Sequence, residues 1–231
     1  MSKGSLKLIG LIPAYNAGDT VAQVVAGTLR QLPEVVVVDD GSVDGTAKAA
    51  REAGAFVISH PANMGKGAAL RTGFEHALAR GCDGILTLDA DTQHDPDEIP
   101  KLIAKADETG AGITIGARLK DKEKIPPARY WTNMVGVTCI SWRAKNRLED
   151  SQSGFRIYRA EVLRGMKYTS SRFETETELL IRAGKRGFNI ASVPVRTIYS
   201  EEILRKSHYR KVRDTYLICM MFLKSFLWFR P

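Results

Sequence analysis

Gly84-Ile85-Leu86-Thr87-Leu88-Asp89-Ala90-Asp91-Thr92-Gln93-His94-Asp95-Pro96 is the stretch on which the fold turns. A short apolar run that ends abruptly in carboxylates reads as a buried strand delivering acidic side chains to the mouth of a sheet, where open α/β sheets bind ligands. One residue separates Asp89 from Asp91, so at an extended strand end their side chains share a face, and a single divalent ion can engage one or both. Gln93 continues that spacing. Hard oxygen donors suit Mg²⁺ or Mn²⁺. Two aspartates after a strand also make ordinary solvated turns, so the rest of the chain must decide.

At 231 residues the chain suits one large α/β domain, residues 1–231, able to bury a core without disulfides or a structural metal. The net charge of +8 is unevenly spread, at −5 for residues 1–110, +5 for 111–181 and +8 for 182–231. The acidic part carries the metal-site candidates; the basic remainder suits phosphates, anionic headgroups or nucleic acid. Cys82, Cys139 and Cys219 are odd in number and widely spaced, which fits neither zinc nor a disulfide framework. With no apolar signal region and no run of about eighteen apolar residues, the expectation is a cytoplasmic protein that does not cross a membrane.

Strand and helix patterns alternate along the first half. Leu6 to Ile12 reads as a strand ending in Pro13-Ala14-Tyr15-Asn16, followed by a helix from a Thr20 cap to about Leu32. Glu34 to Val38 is a strand leading into Asp39-Asp40-Gly41-Ser42, then come a helix over Asp44 to Ala53 and a strand over Ala55 to Ser59. His60 to Gly67 opens a helix ending near Arg80, and after the acidic strand follow a helix from Asp97 to Thr109 and a strand from Ile113 to Gly116. This alternation predicts a mostly parallel sheet covered on both sides, with its loops at the carboxyl edge.

At that edge, Asp39 and Asp40 suit ribose hydroxyls or a base edge, and Asn63-x-Gly65-Lys66-Gly67 brings one cation to a helix start that favours anions. Neither a Walker loop nor Gly-x-Gly-x-x-Gly after the first strand is present, which removes ordinary nucleotide hydrolysis and dinucleotide redox chemistry. Taken in order, Pro13-Ala14-Tyr15-Asn16, Asp39-Asp40-Gly41-Ser42, Asn63-x-Gly65-Lys66-Gly67 and Asp89-Ala90-Asp91-x-Gln93-His94 closely resemble the nucleotide-sugar half of glycosyltransferase family 2, over residues 6–118. The resemblance implies a GT-A-like, Rossmann-related fold in which the loop ending at Asn16, through Pro13 and Tyr15, and Asp39 as the first Asp of its motif hold the nucleoside and Lys66 sits near the nucleotide. It implies a Mg²⁺ or Mn²⁺ ion on Asp89 and Asp91, with Asp91 the more direct ligand.

The second half narrows the acceptor. Asp150-Ser151-Gln152-Ser153-Gly154-Phe155-Arg156 and the extended Asp-Ala-Asp-x-Gln-His resemble the dolichol-phosphate mannosyltransferases and bacterial polyprenyl-phosphate glycosyltransferases. That resemblance adds Gln93 to the metal site, Arg156 to the donor site, and Arg118 and Arg129 as holders of a lipid phosphate in an acceptor half over 119–205. A phosphate acceptor is already anionic and needs no strong base, whereas a hydroxyl would need Asp150 to take its proton. On a purely structural reading Asp150 caps a turn and Arg156 pairs with a surface acid. Residues 206–231 combine a basic segment with an amphipathic helix over Val212 to Trp228, which suits a membrane interface, a core helix or a dimer contact. Three functions follow: hexose transfer from a GDP- or UDP-sugar to a polyprenyl phosphate, transfer to a hydroxyl, or, without catalysis, nucleic-acid binding. The last lacks any base-stacking or groove-reading motif.

Overall fold

The computed structural model describes residues 6–118, 127–198 and 211–228, excepting the side chains of 127–135 and 211–215. Seven strands form one sheet: β1 (Leu8–Ala14), β2 (Val35–Asp39), β3 (Phe56–Ser59), β4 (Gly84–Thr87), β5 (Ile113–Arg118), β6 (Arg156–Arg159) and β7 (Ile190–Val195). Their spatial order is β3-β2-β1-β4-β6-β5-β7. All neighbours are parallel except β6, which runs antiparallel between β4 and β5. The helices are α1 (Val21–Leu29), α2 (Thr46–Glu52), α3 (Lys66–Ala79), α4 (Ile99–Thr109), α5 (Pro127–Ala144), α6 (Ala160–Leu163), α7 (Glu174–Lys185) and α8 (Lys211–Lys224).

The apolar strands are continuous because both faces of the sheet are covered. In β1 and β2, Ile9, Leu11, Val36 and Val38 pack with α3, α5 and α7 residues such as Phe74, Ile140 and Leu180. Leu8, Ile12, Val35 and Val37 point the other way, to Val21, Val25 and Leu102 of α1 and α4. Each fully buried aliphatic side chain contributes roughly 1.5–3 kcal/mol, so this two-sided register strongly resists a one-residue slip.

The structure adjusts the expected elements. Strands β1 and β2 start and end one or two residues later than their apolar patterns suggest, carrying the chain to Ala14 and Asp39. Thr20 does not cap α1; its hydroxyl donates instead to the carbonyl of Ala90, 2.6 Å away, tying α1 to the acidic loop. Strands β6 and β7 went unrecognised in the sequence. The same sheet thus takes strands from both sides of residue 118.

Helix α8 turns one side inward, where Met221 is buried and Phe222 packs on the core. After it, Trp228 lies under the Arg182 guanidinium at 4.0 Å, and Arg182 is itself held by the buried Glu178 at 2.7 Å. The other side leaves Tyr216, Leu223, Phe226 and Leu227 exposed. A core role and an exposed apolar face therefore coexist in one segment. Among the described residues no helix is long and apolar enough to cross a membrane.

Helices α5 and α7 cross with the backbone of Ala144 directly against Gly184, where any Cβ would collide with the Ala144 carbonyl. Gly184→Ala should lower the unfolding midpoint by roughly 2–12 °C, since overpacking costs about 1–3 kcal/mol and each kcal/mol moves a domain of this size by about 2–4 °C. An unchanged calorimetric midpoint would show that the crossing yields without strain.

Candidate active site

Strand β4 ends at Thr87, and the chain continues through Leu88 into the acidic turn. Thr92 holds φ of +61°, a left-handed conformation costly for a β-branched residue. The turn is held there by the Thr20 bond to Ala90 and by the Gln93 amide, which donates to Asp91 Oδ1 at 3.0 Å. Beyond it, His94 bridges Thr197 and the Ile198 amide donates to the Gln93 carbonyl, so the chain leaving β7 runs alongside the acidic loop.

Lys66, at the first turn of α3, sits between two carboxylates: its Nζ is 2.6 Å from Asp89 Oδ1 and 2.9 Å from Glu176 Oε2. Burial opposes the charge on both Lys66 and Asp89, but their attraction outweighs it, holding the ammonium above its ordinary range and Asp89 below. Asp91 has no such partner among the described residues, and burial together with the Asp89 charge pushes it up to about 6. Burial pushes His94 down to about 4, so its ring is neutral at pH 7; its Nδ1 is buried without a hydrogen-bond partner.

Asp89, held by Lys66, and Asp91, raised beside it, are both half-buried and offer oxygen donors alone, which fits a hard divalent cation. Among the described residues no group of three His, Cys, Asp or Glu side chains gathers to hold a metal. A cation there would take one or both carboxylates and complete its shell with ligand oxygens and water, as suits Mg²⁺.

The flanking loops are built by cross-stitching. Asn16, at φ of +48°, accepts from the Val43 amide and donates its own amide to Ser42 Oγ, locking the first loop to the second. Asp39 is buried and accepts from the Ser42 amide. Pro13 is buried within β1 and Tyr15 is half-buried just beyond it. Asp40 requires a correction: its oxygens take the amides of Met64 and Gly65 and the ring of His60, at 2.7–2.9 Å. That carboxylate shapes the Asn-x-Gly-Lys-Gly loop instead of presenting itself to a nucleoside.

On the other side, Arg118 closes a two-pronged pair with Asp150, Nε to Oδ2 at 2.7 Å and Nη2 to Oδ1 at 3.1 Å. Asp150 also accepts from the amides of Gln152 and Ser153, so it caps its turn while fixing Arg118. Both Asp150 oxygens are thereby engaged by Arg118 and by the amides of its own turn. Gly154 packs so closely that a Cβ there would lie 2.5 Å from Asp89 Oδ2. This contact brings the Asp-x-x-Ser-Gly-Phe-Arg turn onto the acidic loop.

Arg156 is corrected as well. It is fully buried, bonding the carbonyls of Ser151, Ser153 and Glu176 and the Tyr158 hydroxyl, so it touches neither a surface acid nor the open site. The Arg129 side chain and residues 206–210 lie outside the described residues. Glu176 and His94 also stand at the site, and neither has a role assigned from sequence. The doublet of acids entering α7 was visible, but its partner stands 110 residues away.

The family described as Glycosyl transferase family 2 matches residues 11–167. Among similar proteins, a UDP-N-acetylglucosamine–dolichyl-phosphate N-acetylglucosaminyltransferase of Methanococcus voltae is 32% identical, over 84% of this chain and 87% of the relative. A polyprenol monophosphomannose synthase of Mycolicibacterium smegmatis is 30% identical, over 80% and 75%. A crystal structure of glucosyl-3-phosphoglycerate synthase from Mycobacterium tuberculosis superposes with a TM-score of 0.72 at 20% identity, over 96% of this chain and 81% of that one, a likeness of fold.

Asp91 gives the site a pH signature. A carboxyl raised on folding binds more protons folded than unfolded, so it subtracts stability as pH climbs from about 4 to about 6 and by a constant amount above. Melted in EDTA, Asp91→Asn should match the parent near pH 4 and exceed it by a margin that grows to a plateau above pH 6.5. A margin that shrinks with rising pH would contradict this electrostatic account.

Proposed function

Because the chain belongs to glycosyl transferase family 2 and is a glycosyltransferase, we propose that it moves a hexose from a UDP- or GDP-sugar to a polyprenyl or dolichyl phosphate, inverting the anomeric centre. The observation that carries this reading is the Arg118–Asp150 pair. It commits the carboxylate that is the candidate for deprotonating a hydroxyl and fixes a guanidinium beside it, while His94 is too weakly basic to replace it. A phosphate acceptor needs orientation and charge neutralisation, not a base.

In this reading an acceptor phosphate oxygen bonds to the anomeric carbon as the bond from that carbon to the donor diphosphate breaks, its electron pair leaving with the nucleoside diphosphate. An α-linked donor gives a β-linked product. Pro13, Tyr15 and Asp39 hold the nucleoside and Lys66 faces the diphosphate. Arg118 and Arg129 orient the acceptor. Asp89, Asp91 and Gln93 would hold Mg²⁺ or Mn²⁺, which supplies positive charge against the departing diphosphate.

A panel of UDP- and GDP-hexoses, assayed with and without a short polyprenyl phosphate, tests the donor and acceptor together; transfer confined to reactions containing the lipid phosphate is expected. Asp150→Asn separates the acceptor classes. With a phosphate acceptor it should loosen Arg118 and raise acceptor KM about tenfold, with kcat little changed. A kcat loss of about 10²–10⁴ at unchanged KM would instead mark a general base and a hydroxyl acceptor.

The acceptor would be met at a bilayer surface, which the exposed Tyr216, Leu223, Phe226 and Leu227 suit together with the half-buried Arg143 and Lys185 nearby. Flotation with anionic vesicles should carry the protein upward at low salt and release it as salt rises, since screening sets in over about 8 Å at physiological ionic strength. Protein that stays at the bottom at low salt would remove the membrane contact.

A further inference from the structure

Glu176 belongs to none of the motifs that define the donor or acceptor loops, yet its side chain is one of two anions on Lys66. It enters from the first turn of α7, and it is buried, with 6% of its surface exposed. Its backbone carbonyl accepts from Arg156 Nη1 at 3.0 Å, and its Oε2 lies 2.9 Å from Lys66 Nζ. The Phe173 ring lies 5.7 Å from the ammonium.

The approach of α3 to α7 is built for this meeting. A Cβ on Gly65 would lie 2.5 Å from the Ser171 carbonyl, and one on Gly67 would strike Thr175 Oγ1. The Ala68 amide donates to that same Ser171 carbonyl at 3.1 Å. Two glycines thus let the start of α3 lie against the start of α7, which brings Lys66 and Glu176 together across a large sequence separation.

Lysine is a point charge on a flexible stem, with three donors that can all turn to one anion. With Asp89 alone to bind, the ammonium would be free to swing about that one carboxylate on its flexible stem. Glu176 engages it from the other side, so two carboxylates on separate elements hold it at once. We propose that Glu176 is a positioning residue that fixes Lys66 between α3 and the acidic loop, keeping the ammonium aimed at the donor diphosphate. The inference rests on the reading that Lys66 faces the diphosphate, and it adds the group that places it there.

A double-mutant cycle tests it, with UDP and GDP in excess MgCl₂ as calorimetric probes. Lys66→Met should weaken binding of the preferred nucleotide, and Glu176→Gln, which keeps both the shape and the backbone acceptor for Arg156, should weaken it about tenfold, within the range measured for contacting pairs. In the Lys66→Met background Glu176→Gln should add nothing. In turnover, Glu176→Gln should raise donor KM while acceptor KM stays put, a split that general loosening of the fold would not give. Should Glu176→Gln fail to fold, Glu176→Asp, which keeps the charge one methylene short, should give a smaller loss that again vanishes without Lys66. Additive losses, or tighter binding in Glu176→Gln, would overturn the positioning role while leaving Lys66 on the diphosphate. Unchanged binding in Lys66→Met would overturn the diphosphate reading and the positioning role together.

Discussion

A guanidinium sealed from water dictates the centre of this molecule. A buried cation is tolerated only if its donors are met by well-placed acceptors. Arg156 meets Ser151, Ser153, Tyr158 and Glu176, which belong to the turn before β6, to β6 itself and to the first turn of α7. Satisfying one side chain therefore fixes three separate pieces of chain. From the turn the order passes to Asp150 and Arg118; from α7 it passes to Glu176, Lys66 and Asp89. The two sides of the site share one origin.

Charge is distributed along those branches with a clear asymmetry. Asp89 and Asp150 are each committed to a cation, whereas among the described residues Asp91 stands without one and is raised by burial and the Asp89 charge. The site thus concentrates its unbalanced negative charge at one carboxylate on a strained turn, where an incoming cation gains most. Stability is sacrificed locally, as happens where a chain keeps groups for a ligand instead of for itself.

Much of the fold was legible because parallel strands buried on both faces are written as unbroken apolar runs, and β1, β2 and β4 are such runs. Strand β6 was not, since it is four residues long and begins and ends in arginine; nothing in Arg-Ile-Tyr-Arg announces that the first arginine is wholly buried. The acidic turn stood out because its two carboxylates follow directly on a buried apolar strand and fall in order with three other loop motifs. Asp40, Asp150 and Arg156 were harder, for the same residue types that bind ligands also tie loops, and only the partner tells them apart. For Asp40 that partner is a ring and two amides 20 to 25 residues on.

The antiparallel insertion of β6 beside β5 has a topological result. Residue 115 of β5 pairs with Arg156, so the chain that departs the sheet after Arg118 comes back to the very next strand at the same edge. Everything from 119 to 155 is therefore the connection of a long hairpin, its neck cinched by Arg118 and Asp150. The hairpin is anchored at more than its neck, since Ile140, Ala144 and Leu148 lie in the core and Ser151 and Ser153 hold Arg156. Changes of length that fall between those anchors can be absorbed by the connection without moving any strand.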